Sequence, residues 1–146
     1  MNLVYINSAN GLSKAALETV TYAKKLGAEV AVVTNGGADA SVLASLGNYG
    51  ASVVYQDSSL DGQDPSQLVK LVAAAAQKVG ATTIIFSHDL IGKAVAPRLS
   101  VRLKAGLVAG AVALPEANGN VKVNVFSGKA FGYVQVNSAT RIISLL

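Results

Sequence analysis

The 146-residue sequence has no cysteine, no tryptophan and a single histidine, and these absences restrict the chemistry that the polypeptide itself can perform. Without cysteine there is no disulfide, thiolate nucleophile, iron–sulfur cluster or Cys-ligated zinc. His88 has no second histidine at ligand spacing, and a Ser-His-Asp triad would have to use this one imidazole. The sequence therefore predicts no metal site and no catalytic residue.

Charged residues are also few, at 14% of the chain, whereas hydrophobic residues make up 51% and proline occurs only 3 times. This composition is typical of a packed globular protein rather than of a disordered segment, and the length favours one α/β domain over residues 1–146. The net charge of +4 is scattered along the chain rather than gathered with aromatic residues into a basic stripe. Nucleic-acid binding is therefore not expected.

No apolar run is long enough to span a bilayer, the longest being residues 71–76 and 107–114. The first residues, 1–6, pass directly into strand-like sequence, without the basic segment and long apolar core of a signal peptide. We expect no membrane insertion and a cytoplasmic location.

What the sequence does contain is a regular alternation of short apolar strands and amphipathic helices. Strands are predicted at residues 3–6, 28–34, 51–55 and 83–86, and helices at 13–26, 39–46, 64–80 and from about 93 to 103. Strands and helices that alternate at this spacing form a parallel sheet with helices on both faces. The prediction is a three-layer αβα fold with a mostly parallel, Rossmann-like sheet.

After Leu103 the helical pattern stops and only strand-like runs follow. They lie at residues 107–114, 121–126, 131–136 and 140–145, and Asn118-Gly119 is a strong hairpin signal. This pattern predicts a C-terminal antiparallel β-meander. Because the last run ends in Leu145 and Leu146 with no further strand, we expect an exposed apolar edge through which the fragment self-associates.

Polar residues at the ends of two predicted strands are the candidates for a ligand site, since ligands of open α/β sheets bind at the carboxyl ends of the strands. Asn7 follows the first strand, Ser87, His88 and Asp89 follow the fourth, and Lys93 lies near the start of the next helix. Neither a G-x-G-x-x-G fingerprint nor a Walker A loop accompanies them. We predict at most a weak nucleotide crevice, and a solvated turn is the alternative.

Three further features have plainer interpretations. Asn35-Gly36-Gly37 is interpreted as a tight turn, and Arg98 and Arg102 as a solvated helix face or a local salt bridge. Pro97 would be tolerated if its helix began near Lys93 or Ala94, because a proline deeper in a helix removes a backbone hydrogen bond.

Three motifs resemble a known family when taken together. They are LSKAALE at residues 12–18 with AKKLG at 23–27, GKAVAPRL at 92–99, and VFSGKA at 125–130. On these motifs the whole chain resembles the N-terminal domain of the electron transfer flavoprotein α subunit. One departure is Gly110, since many members of that family look to have Asp at this position.

The resemblance implies a heterodimer with a β subunit that passes electrons from flavin dehydrogenases to a quinone reductase through one FAD. In that family the FAD sits mainly in the C-terminal domain of the α subunit, which this chain lacks. The chain would then be a platform for the β subunit in an electron carrier, not an enzyme, and no cofactor is expected in this fragment. Nucleotide (AMP) binding in the family belongs to the β subunit.

Two other readings stay open. One is a free-standing small adenine-nucleotide-binding protein with an adenine nucleotide α-hydrolase-like sheet. The other is an enzyme, for which Ser87, His88 and Asp89 supply the available acid, base or nucleophile.

Overall fold

Eight strands and four helices make up the computed structural model, which describes residues Met1–Leu146. The strands are β1 (Asn2–Asn7), β2 (Val30–Asn35), β3 (Ala51–Asp57), β4 (Thr83–Ser87), β5 (Gly106–Ala111), β6 (Val121–Val125), β7 (Ala130–Val134) and β8 (Arg141–Leu145). The helices are α1 (Lys14–Lys25), α2 (Ala40–Ala44), α3 (Pro65–Val79) and α4 (Leu90–Leu103), with short 3-10 turns at Ser45–Tyr49 and Phe126–Gly128. None of the helices has the length and hydropathy needed to cross a membrane.

All strands belong to one sheet in the order β3-β2-β1-β4-β8-β5-β6-β7. The pairings from β3 to β5 are parallel, whereas β6 is antiparallel to both β5 and β7. Helices α3 and α4 pack on the face that carries Leu3 and Ile84. Helix α1, with α2 and the following turn, packs on the face that carries Val4, Ile85 and Ile143. The predicted three-layer fold with antiparallel strands near its C-terminus is confirmed.

The last strand is the main correction to the predicted topology. Strand β8 does not end a meander at the edge but lies between β4 and β5, parallel to both. Ile142 and Ile143 point to opposite faces and are both 0% exposed, as is typical of a central parallel strand. The exposed-edge argument for self-association was therefore wrong for this segment, in which Leu145 is partly buried and Leu146 is 66% exposed.

Helix α4 begins at Leu90, earlier than predicted, so the condition placed on Pro97 was wrong. Pro97 lies well inside the helix and cannot donate to the carbonyl of Lys93. The Arg98 guanidinium donates to the carbonyl of Ala94 in the same turn and does not form a salt bridge. A proline-containing helix is tolerated because the helix is held by packing, with Leu99 fully buried against the sheet.

The first turn of α4 lies directly on the end of β4. A Cβ added at Gly92 would overlap the carbonyl oxygen of Ser87, so only glycine permits this approach. The Asp89 carboxylate accepts a hydrogen bond from the Gly92 N–H at 2.8 Å and caps the helix. The glycine of the GKAVAPRL motif thus has a packing role at the strand end where the candidate site lies.

Candidate functional site

The sheet has a topological switch point between β1 and β4, because the chain runs outward from β1 through β2 to β3 and then returns to the other side of β1. A cleft of about 240 Å³ lies at the carboxyl ends of these two strands. Its lining includes Tyr5, Asn7, Ser13, Ser87, Asp89 and Gly92. The crevice therefore lies where the strand-end polar residues predicted it.

Three of the five candidate residues line this cleft, and two do not. Asn7, Ser87 and Asp89 are in its wall, whereas His88 is turned toward β8 and β5. Lys93 is exposed in the first turns of α4, outside the cleft. The sequence thus predicted the strand ends that border this cleft but did not show which side chains share one cavity.

A hydrogen-bond network joins the cleft residues Tyr5 and Asn7 of β1 to Asn35 at the end of β2. The Asn35 side chain, 0% exposed, accepts from the Tyr5 hydroxyl at 2.7 Å and donates to Asn7 Oδ1 at 3.1 Å. Asn7 Oδ1 also accepts from the Ala9 N–H at 3.0 Å. Burial, with a smaller contribution from the charge of Asp89, raises the pKa of Tyr5, so its phenol stays protonated and remains a donor.

Gly36 explains why the turn after β2 needs glycine. Its φ is +85°, and an added Cβ would lie 2.9 Å from Ala9 Cα. The interpretation of Asn35-Gly36-Gly37 as a tight turn thus has a steric basis, but neither Tyr5 as a lining residue of the cleft nor Asn35 as its buried hydrogen-bond partner was predicted. The available signal was a polar Asn at the end of an otherwise apolar strand, in the same register position as Asn7.

Both helix N-termini beside the cleft are capped by side chains of the chain itself. Ser13 Oγ accepts from the Ala16 N–H at 3.1 Å, and Asp89 caps α4 as described. The free N–H groups of a helix N-terminus are the usual phosphate site of this fold class. A carboxylate already occupies that position at α4, and its charge disfavours a second anion. The charge of Asp89 therefore disfavours a phosphate at the α4 N-terminus, whereas the cap of α1 is the neutral hydroxyl of Ser13.

His88 belongs to a second cluster, at the carboxyl ends of β4, β8 and β5. Its Nδ1 is 2.8 Å from Ser144 Oγ, and the N–H of Gly110 donates to the same oxygen at 3.2 Å. Burial of the ring lowers the pKa of His88, and the charge of Lys93 lowers it further, against an opposing effect of Asp89. The imidazole is therefore largely neutral at pH 7.

Gly110, the departure from the family pattern, lies against this imidazole. An added Cβ would be 3.7 Å from His88 Nε2, so an Asp at this position would bring a carboxylate to the ring. The φ of Gly110 is +78°, a conformation that favours glycine. Sequence reasoning could not pair Gly110, Ser144 and His88, since the insertion of β8 between β4 and β5 brings them together.

The Ser144–His88 pair does not form a nucleophile–base arrangement. Ser144 is 2% exposed, so its hydroxyl is not accessible to a substrate. The carboxylate nearest in sequence, Asp89, caps α4 rather than orienting the imidazole. The three elements of a triad are thus not assembled here.

The geometry defines a doubly wound α/β domain with a cleft at its topological switch point. A sequence profile for the electron transfer flavoprotein domain matches residues 2–145. Since this match covers nearly the whole chain, the protein belongs to the electron transfer flavoprotein domain family.

Curated relatives agree with this assignment. The chain is similar to the electron transfer flavoprotein subunit alpha of Syntrophomonas wolfei, at 26% identity over 138 residues, which covers 91% of this chain and 44% of that protein. The same subunit of Mycobacterium tuberculosis is 30% identical over 148 residues, covering 98% and 46%, and that of Bacillus subtilis 30% over 95 residues, covering 62% and 29%. The chain thus spans less than half the length of these relatives. The resemblance to the α-subunit N-terminal domain is confirmed.

Among solved structures, a chain from Sinorhizobium meliloti 1021 assigned to the short-chain dehydrogenase/reductases overlaps with a TM-score of 0.43 at 14% identity, over 80% of this chain and 64% of that one. This agreement is too low to support a functional argument. The fold class rests on the strand order and layers described above.

Proposed function

We propose that this chain acts in electron transfer as the N-terminal domain of an electron transfer flavoprotein α subunit, where it is a structural platform for the β subunit. The observation that carries the proposal is the family match over residues 2–145, together with similarity to proteins named as α subunits. In this role the chain is part of an electron carrier rather than an enzyme, and it works in the cytoplasm. The β subunit is its direct partner.

The flavin belongs to a part of the α subunit other than residues 1–146. The turn after β1 lacks the dinucleotide fingerprint, and the helix N-termini at the cleft are occupied by Ser13 and Asp89. Electrons from flavin dehydrogenases reach a quinone reductase through that FAD, and the domain described here holds the β subunit in place. The switch-point cleft is at most a weak nucleotide site.

The test uses the 146-residue chain and the electron transfer flavoprotein β subunit of the same organism, mixed and followed by size-exclusion chromatography with light scattering. We expect a one-to-one complex and no flavin absorption from the purified chain. A flavin band at near one FAD per chain would contradict the assignment of the flavin to another domain.

Calorimetry with AMP tests the cleft. We expect no binding at micromolar concentration. Tight binding that is lost in Asn7→Ala and Asp89→Ala, but kept in the control Asp61→Ala on an exposed loop, would instead favour the free-standing nucleotide-binding protein.

A further inference from the structure

Charge is distributed unevenly between the two helical layers of the molecule. Residues 65–104, which include α3, β4 and α4, contain six Lys or Arg residues and one carboxylate, whereas the rest of the chain contains six Lys or Arg residues and seven carboxylates. None of the cations in residues 65–104 forms a salt bridge, since the only salt bridge joins Lys14 to Glu18 on α1. All six are exposed, and they are Lys70, Lys78, Lys93, Arg98, Arg102 and Lys104. The layer of α3 and α4 is therefore a cationic surface.

The outermost ridge of α4 is apolar, although the solvent-facing side of a surface helix is usually polar. Leu90 is 86% exposed and Val101 is 80% exposed, and Pro97 between them is exposed as well. With Ala94 these residues follow the alternating spacing of four and three that aligns side chains along one side of a helix. The opposite side of α4 packs on the sheet, where Leu99 is fully buried. Packing within the domain therefore does not account for the ridge.

Cations lie on both flanks of this ridge. Successive residues of an α-helix are about 100° apart, which places Lys93 on one flank and Arg98 and Arg102 on the other. Lys104 follows at the end of α4 with a φ of 52°, a left-handed conformation that a glycine adopts at the end of α3. The one carboxylate nearby, Asp89, is engaged as the cap of the first turn. Helix α4 thus presents an apolar ridge between cations that no carboxylate of this chain neutralises.

The GKAVAPRL motif is divided between the two sides of α4. Its buried residues pack the helix on the sheet, and they are Gly92, Val95, Ala96 and Leu99. Lys93, Pro97 and Arg98 are exposed, and Pro97 removes one backbone hydrogen bond from the helix. The fold explains the buried half of the motif, whereas the exposed half is free to contact another molecule.

The pattern on α4 indicates which kind of molecule fits it. An apolar ridge at this spacing with charged residues beside it is the arrangement by which one helix packs on another. Two copies of this chain would bring the same cations together, which disfavours a homodimer at this face. Helices that lie on membranes usually place Trp or Phe among their apolar residues, and α4 contains no aromatic residue. Charge complementarity favours a helix that has Glu or Asp beside its apolar side.

We propose that α4 docks an acidic amphipathic helix of another protein, whose apolar side packs along the ridge and whose carboxylates face the flanking cations. The ridge from Leu90 to Val101 spans about 17 Å at a rise of 1.5 Å per residue. A contact along one such helix lies at the low end of interface sizes, where complexes are weak and transient. The flanking charges increase the rate of association more than the final affinity. This inference goes beyond the proposed function, because the partner is a protein other than the β subunit.

The test uses a fluorescent synthetic peptide with Leu at positions a and d and Glu at positions e and g of each heptad. A control peptide has Lys in place of Glu. Fluorescence anisotropy with the 146-residue chain is expected to show binding of the Glu peptide alone, with an affinity that falls as salt rises. In NMR spectra of the chain, the largest shifts on addition of the Glu peptide should fall on the amides of residues 90–104.

Variants separate the contribution of the ridge from that of its charge. Lys93→Glu combined with Arg98→Glu is expected to weaken peptide binding at least about tenfold at low salt and less at high salt. The matched control is Lys24→Glu combined with Lys25→Glu, which changes the net charge equally but lies on α1, on the other face of the sheet. It should change affinity by less than about threefold. Val101→Ser leaves the charge unaltered and is expected to weaken binding about tenfold through lost apolar contact.

Four results would overturn the proposal. The first is that the Glu peptide does not bind. The second is an equal loss of affinity in the double variant and its matched control with no loss in Val101→Ser, which would indicate general attraction to a basic chain. The third is stronger binding to vesicles of phosphatidylserine and phosphatidylcholine than to the peptide, which would make an anionic membrane the occupant of α4. The fourth is loss of peptide binding when the β subunit is present, which would assign α4 to the subunit interface.

Discussion

The centre of the sheet and its β6–β7 extension are built on different principles. In β4 and β8 successive residues are apolar, so Ile84 and Ile85, like Ile142 and Ile143, are buried on opposite faces. In β6 and β7 one face is buried and the other is wet, as the exposed Phe131 shows. The centre stabilises the fold, and the extension presents a surface.

The connections between the strands account for this difference. A parallel strand needs a long crossover, and the helix in that crossover covers the sheet. The antiparallel hairpin of β6 and β7 needs only a short turn, Phe126–Gly128, and supplies no helix. In this sheet the hairpin therefore has no helix on the face opposite α1.

The largest effect that separates the two regions is expected from truncating one phenylalanine in each. Phe86→Ala, in the centre of β4 and fully buried, should lower the free energy of unfolding by about 3–5 kcal/mol. Phe131→Ala in the extension should lower it by only about 1 kcal/mol, because the side chain is 58% exposed and loses only its contacts with the Tyr133 ring and the Lys122 ammonium. Urea unfolding followed by circular dichroism measures both, and equal losses would remove the distinction between core and surface.

The placement of β8 is tested by two neighbouring aliphatic residues. Ile143→Ala is expected to cost about 2–5 kcal/mol, because β8 lies between β4 and β5 and the side chain is fully buried in the core on the α1 face of the sheet. Leu146→Ala, at an exposed position, should cost less than about 0.5 kcal/mol. Urea unfolding measures both variants. A small loss of unfolding free energy in Ile143→Ala would indicate that β8 lies at the edge of the sheet rather than in its centre.

A glycine substitution should relieve the backbone strain in the turn between β6 and β7. Ser127→Gly at a φ of 53° is expected to raise the free energy of unfolding by about 0.5–1 kcal/mol, since glycine adopts this conformation without steric cost. The matched reverse change is Gly128→Ala at a φ of 86°, where an added Cβ meets no other atom and the expected loss of about 1 kcal/mol comes from the backbone alone. A loss in Ser127→Gly would show that the turn is not strained.

The smallest effect concerns the only histidine. We expect an NMR titration to give His88 a pKa below its ordinary value of 6.5, because the ring is partly buried and near Lys93. At a pH between the pKa of His88 in the folded chain and its ordinary value of 6.5, the unfolded chain binds more protons than the folded chain. The stability that comes from keeping His88 neutral in the folded chain is therefore fully present above about pH 6.5 and is lost as pH falls through the folded pKa. His88→Gln should flatten the pH dependence.

Variants at Gly110 test whether a nearby charge changes the pKa of His88 in the same NMR titration. Gly110→Asp should raise the pKa of His88, because it introduces a carboxylate beside Nε2. Gly110→Asn has the same backbone conformation without the charge and should leave that pKa nearly unchanged. A similar shift in both variants would point to altered burial of the ring rather than to charge.

Local patterns in the sequence predicted most of the fold. The alternation of strands and helices depends on neighbouring residues, and the structure has it, with Ser13 and Asp64 capping the helices predicted at residues 13–26 and 64–80. The early start of α4 was missed because Pro97 indicates a helix boundary by local rules, whereas packing of Leu99 and capping by Asp89 outweigh it.

The candidate site was predicted only in part, for a related reason. The rule that polar residues gather at the carboxyl ends of parallel strands placed Asn7, Ser87 and Asp89 at the cleft. It did not reveal that Asp89 acts as a helix cap, nor that His88 faces Ser144 instead of the cleft.

The sequence by itself determined the class of fold, since strand and helix periodicity are properties of neighbouring residues. Only the tertiary structure decided the position of β8 and the contacts that follow from it. Arg141–Leu145 reads equally well as an edge or a central strand until its neighbours are known, because pairing joins residues far apart in the chain. Burial of Ile142 and Ile143 on both faces is available only between β4 and β5, and that requirement selects the central place.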